Sequence, residues 1–86
     1  MGDDRRYARS LIGKVIVSKS GKRFGETSNM TFEVKTGELM HLVLKNPTAL
    51  GEELNLERDN EGNILVPFSS IIAIGDYIVI SEEDIL

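Results

Sequence analysis

The apolar residues of this 86-residue chain come in short runs separated by glycine, proline, asparagine and serine. That spacing predicts short strands joined by tight turns rather than amphipathic helices. The densest run lies near the end: from Ile71 to Ile80 every residue is apolar or aromatic except Gly75 and Asp76. A Gly-Asp pair there predicts a two-residue hairpin turn, with Ile74 opposite Tyr77, Ala73 opposite Ile78, Ile72 opposite Val79 and Ile71 opposite Ile80. Residues 72, 74, 77 and 79 then point one way and 71, 73, 78 and 80 the other, so both faces are apolar. One face fills a core and the other needs a cover, which makes Ile72, Ile74, Tyr77 and Val79 the candidate protein interface. The alternative is that strand curvature buries both faces and the chain is a monomer.

Earlier in the chain, Leu11-Ile12-Gly13 leads into a β-branched strand at Val15-Ile16-Val17, with a turn at Ser20-Gly21. Phe24-Gly25 opens the second strand, and a glycine there predicts a bulge or a close backbone crossing. Met30, Phe32 and Val34 alternate with Thr31, Glu33 and Lys35, so this strand has one wet side. A three-residue loop, Lys35-Thr36-Gly37 with Gly37 left-handed, pairs Val34 with Glu38, Phe32 with Met40 and Met30 with Leu42. That register gathers the apolar residues on one face, and a one-residue slip undoes it. It also sets His41 beside Thr31. With no second histidine and no cysteine in the chain, His41 is expected to be structural rather than a ligand or an acid-base group.

Asn46-Pro47 stops the third strand. Thr48 to Glu53 reads as an irregular loop, Leu54-Asn55-Leu56 as a short edge strand, and Asn60-Glu61-Gly62 as a turn. Glu52, Glu53, Glu57, Asp59 and Glu61 fit no calcium-loop spacing and are expected to be a solvated acidic loop. Ile64-Leu65-Val66 is the next strand, ended by Pro67, and Phe68-Ser69-Ser70 forms a corner or a single helical turn. Residues 1–10 read as a flexible tail, 11–80 as the domain and 81–86 as an acidic tail.

Composition narrows the chemistry. The length suits one modest core, and the absence of cysteine excludes disulfides, thiolate catalysis and Cys-based zinc. No catalytic, cofactor or metal site is expected. No apolar run approaches the roughly 18 residues of a membrane span, so no direct membrane insertion and a cytoplasmic location are expected. The net charge is −4, but residues 1–23 hold seven bases and two acids, whereas residues 46–86 hold nine acids and only Arg58 as a base. The basic N-terminal part makes Arg5, Arg6, Arg9, Lys22 and Arg23, with Lys19, candidate contacts to an anionic partner such as RNA.

Five segments together resemble the PRC-barrel family: Leu11-Ile12-Gly13-Lys14-Val15, Ser20-Gly21-Lys22-Arg23-Phe24-Gly25, Lys35-Thr36-Gly37-Glu38, Val66-Pro67-Phe68 and Ile74-Gly75-Asp76. The resemblance spans roughly residues 11 to 80. It implies an all-β fold, a small antiparallel β-barrel without catalytic residues. The family's known settings include the photosynthetic reaction-centre H subunit, the ribosome maturation factor RimM and stand-alone archaeal proteins, some acting in cell division. The chain looks most like the last group. The expected function is therefore a protein-protein assembly adaptor, homodimeric, with a RimM-like ribosome or RNA maturation factor as the alternative.

Overall fold

The computed structural model describes residues 9–81. Six strands, β1 (Val15–Ser18), β2 (Arg23–Phe32), β3 (Leu39–Lys45), β4 (Ile64–Pro67), β5 (Ile71–Ile74) and β6 (Tyr77–Ile80), form one sheet in the order β4-β3-β2-β1-β6-β5. A short helix α1 (Ala49–Glu52) follows β3, and a 3-10 turn, Phe68–Ser70, joins β4 to β5. The all-β class is as expected. The sheet differs from a closed antiparallel barrel in two respects: it is open between β4 and β5, and β1 pairs parallel to β6.

Buried side chains from β1 (Ile16), β2 (Phe24), β3 (Leu42, Leu44), β4 (Ile64, Val66) and β6 (Ile78, Ile80) form one cluster with Leu11 and Leu54. A single sheet brings residues of so many strands into one core only by curling round it. Bulges supply the curl, because each adds a residue to one strand and increases the local twist. The β1–β2 ladder shifts between Ile16 and Val17, leaving Phe24 as the extra residue ahead of Gly25. Gly25 (φ 157°) is needed at that point: a Cβ on it would lie 2.7 Å from Leu44 Cδ1 and 3.0 Å from the Lys45 carbonyl oxygen. The close crossing expected of this glycine is thus present.

Gly37 is left-handed (φ 74°), and Met30 pairs with Leu42 and Thr31 with His41, the expected register, but the connection is four residues, Val34 to Gly37, rather than three. The loop end differs. Phe32 pairs with Leu39 rather than Met40, because Met40 becomes the extra residue of a bulge and turns outward. The expected Val34–Glu38 pair is replaced by Glu33, whose N–H donates to the Glu38 carbonyl at 2.8 Å, and Val34 is 96% exposed. Leu39, not Phe32, then packs against the core.

The region 46–63 departs most from the sequence reading. Thr48 to Glu53 is not an irregular loop: Thr48 caps α1, its Oγ1 accepting the Gly51 N–H at 3.2 Å. Leu54-Asn55-Leu56 forms no strand: Leu54 is buried and Leu56 packs against the core with Asn55 exposed between them, but the bridge to β4 is made further on, at Arg58. The turn at Asn60-Glu61-Gly62 is present. Asp59 Oδ1 accepts from the backbone N–H of Glu61 (2.9 Å) and Asn63 (2.8 Å), and Gly62 is left-handed (φ 85°).

The final hairpin also takes a different register. Ile74 pairs with Ile78 and Ala73 with Val79, while Ile71 keeps Ile80, so Ile72 is the extra residue of a bulge. The Gly75 N–H donates to the Tyr77 carbonyl at 2.9 Å, and Lys14 Nζ donates to the Gly75 carbonyl at 2.6 Å. The physical reason is burial. With Ile72 and Ala73 both turned outward, Ile74 comes round to the side of Ile71, Ile78 and Ile80, where it packs against the core.

Candidate protein-docking surface

The core side of the β1-β6-β5 half of the sheet takes Ile16, Ser18, Ile78 and Ile80, and alternation sends Val15, Val17, Tyr77 and Val79 to the other side. The parallel ladder pairs Val15 with Tyr77 and Val17 with Val79, and Val79 faces Ala73 on β5. Residues opposite one another across a ladder share a face. The outer face of three adjacent strands is therefore apolar, with Ile72 and Tyr77 each 51% exposed and Val15, Val17 and Val79 half-buried. On β2 the row changes character: Val15 is opposite Glu26 and Val17 opposite Arg23. An apolar centre bounded by charge is the anatomy of a protein contact surface.

Of the four residues expected at an interface, the fold brings Ile72, Tyr77 and Val79 to this face and turns Ile74 toward the core. Val15 and Val17 were not singled out in the sequence. Their signal was the unbroken Val-Ile-Val run, which is apolar on both faces of its strand.

The two sheet edges are treated differently. Along β4, Arg58 forms a bridge to Ile64, and the Leu65 N–H donates to the Glu57 carbonyl at 2.9 Å, so that edge is covered. Along β5, no strand pairs with the side facing away from β6 among the described residues. An open edge presents unpaired backbone N–H and C=O groups.

The remaining candidates sit elsewhere. His41 accepts from or donates to Thr31 Oγ1 through Nδ1 at 2.9 Å, and its Nε2 lies 3.8 Å from Glu57 Oε1. Beside it, Glu38, Leu39, Met40, Pro67, Phe68 and Ser69 complete a shallow cleft of about 320 Å³. Lys22 and Arg23 are exposed neighbours at the β1–β2 turn, where the Ser18 N–H donates to the Lys22 carbonyl at 2.8 Å. Arg9 is exposed ahead of Leu11, while Arg5, Arg6 and the acidic tail from residue 82 lie outside the described residues. Among the described residues no group of His, Asp and Glu could hold a metal ion, and no helix is long and apolar enough to cross a membrane.

The model of the PRC-barrel domain matches residues 3–84. The chain belongs to the PRC-barrel family. An uncharacterized protein of the archaeon Methanocaldococcus jannaschii is 27% identical to it over 82 residues, covering 95% of this chain and 88% of that protein. PRC-barrel domains are generally non-catalytic and often mediate protein interactions, a setting that suits an apolar outer face rimmed by charge.

Proposed function

We propose that this PRC-barrel chain is a non-enzymatic assembly adaptor that works in the cytoplasm as a homodimer and docks a protein partner on the outer face of β1, β6 and β5. The observation that carries the reading is the apolar row Val15, Val17, Val79 and Tyr77 beside the half-exposed Ile72, on a sheet whose opposite face already supplies the core. Tyrosine is enriched at interface hot spots, and the buried centre of an interface is more apolar than its rim.

The test uses two baits in extract of the source cells, wild type and Tyr77→Lys, each first shown to be folded by circular dichroism. A protein retained by the wild type and lost with Tyr77→Lys supports docking on this face. Recovery of the same proteins by both baits removes the face from consideration.

A further inference from the structure

We infer that the segment from Leu56 to Arg58 is a strap over the β4 edge whose hold is set by the charge on His41, tighter while the imidazole carries its extra proton and looser once that proton is lost. The strap lies at the end of the sheet away from β1, β6 and β5, so the inference does not depend on the docking reading.

The backbone alone holds this segment lightly. Its links to β4 are the Leu65 N–H donating to the Glu57 carbonyl at 2.9 Å and the bridge between Arg58 and Ile64. Side chains supply the rest. Leu56 packs against the core, and Arg58 reaches the Gly62 carbonyl through Nη1 at 3.1 Å and Glu52 of α1 through Nη2 at 3.6 Å. Glu57, between them, reaches His41 on β3, with Oε1 3.8 Å from Nε2.

Of these two ion contacts, only the one at His41 is built on a side-chain type that changes charge between about pH 5 and 8, since a guanidinium stays charged. At 3.8 Å the contact is longer than a hydrogen bond, so a neutral imidazole gains little from it and the attraction rests on positive charge. Thr31 Oγ1, 2.9 Å from Nδ1, fixes the ring from the β2 side. The remaining groups around the ring do not reverse this direction. Pro67, Phe68 and Ser69, from β4 and the 3-10 turn, bring no charge, and neither do Leu39 and Met40 on β3. The charged neighbours are Glu38, in the same cleft, and Glu33, two residues past Thr31, both carboxylates that favour a cation. Rising pH therefore loosens the strap, Leu65 loses its acceptor and more of the β4 edge is bare. Glu57 is largely exposed, so water screens the pair, and the opening equilibrium should change by about two- to fivefold.

The experiment is amide hydrogen exchange read by NMR at ~pH 6 and ~pH 8, each rate divided by that of unstructured chain at the same pH. In the wild type the Leu65 amide is expected to be about two to five times better protected at the lower pH, with no such change in the β1–β6 ladder. In His41→Gln and in Glu57→Gln the protection of Leu65 should no longer differ between the two conditions. Arg58→Met should lower protection of Leu65 at both and keep the ratio between them. Should His41→Gln fail to fold, the exposed Glu57→Gln decides alone. A wild-type Leu65 amide whose protection ignores pH overturns the inference, as does a ratio that survives in Glu57→Gln or a change shared equally by the β1–β6 amides.

Discussion

Replacing Gly51 with alanine reverses the usual effect of that substitution. In an ordinary helix Gly→Ala gains about 1 kcal/mol, because alanine loses less backbone freedom on folding. Here α1 lies directly on β2, and a Cβ at position 51 would collide with the Phe24 carbonyl oxygen, 3.1 Å from the carbon of the same group and 3.3 Å from Pro47 Cβ. Neither neighbour is the end of a flexible side chain. The helix must back away from the strand, which costs about 1–3 kcal/mol in overpacking. That movement also breaks two hydrogen bonds, the Thr48 N–H to the Phe24 carbonyl (2.9 Å) and Thr48 Oγ1 to the Arg23 carbonyl (2.7 Å), at about 1 kcal/mol each. Less the propensity gain, the net loss is about 2–4 kcal/mol, a large part of the stability of so small a domain. For a chain of this length the midpoint temperature should fall by about 10–30 °C. Thermal and urea unfolding of Gly51→Ala beside the wild type measure it, with Ala49→Gly, at the first position of the helix, as a control expected to lose less than about 1 kcal/mol through propensity. A Gly51→Ala variant as stable as the wild type, or more stable, would refute the close approach of α1 to β2.

Two further outcomes follow from single polar groups. Thr27 is fully buried opposite Leu44, and its Oγ1 has no hydrogen-bond partner among the described residues, so Thr27→Val should raise stability by about 1 kcal/mol, read as a higher urea midpoint at unchanged slope. The Asn63 backbone N–H, then the Asn63 side-chain amide, hold the Asp59 carboxyl below its ordinary 3.8, outweighing a small desolvation effect, with the Glu61 and Gly62 N–H groups adding to the lowering. A carboxyl depressed in the folded state contributes stability that is present above 3.8 and lost as pH falls through the lower folded value. The urea midpoint of the wild type should therefore drop more steeply below about pH 4 than that of Asp59→Asn, and parallel pH profiles would contradict this account of the turn.

Much of the fold is legible in the sequence because it depends on short-range chemistry. Glycine's tolerance of positive φ sets the turns at Gly37 and Gly62, proline's missing N–H ends β4, and β-branched runs give β1, β4 and the two arms of the last hairpin. The Met30–Leu42 and Thr31–His41 pairs follow from apolar alternation, although the connection is the four residues Val34 to Gly37 and the bulge at Met40 restores the register. The helix α1 was within reach of the sequence as well: Thr48 is a good cap, and only the shortness of the segment hid it.

What tertiary structure decided is where the extra residues of the bulges fall and which distant strands become neighbours. Local pattern assigns Ile74 to the side of Ile72, and the bulge at Ile72 sends it to the core, since curling one sheet round one cluster buries more apolar surface than a regular ladder would. The parallel pairing of β1 with β6, strands more than fifty residues apart, sets Val15 and Val17 beside Tyr77 and Val79 and so creates the outer face. No window of sequence contains both strands, so the choice between them is made by whichever packing buries the most, and that sum exists only in the folded chain.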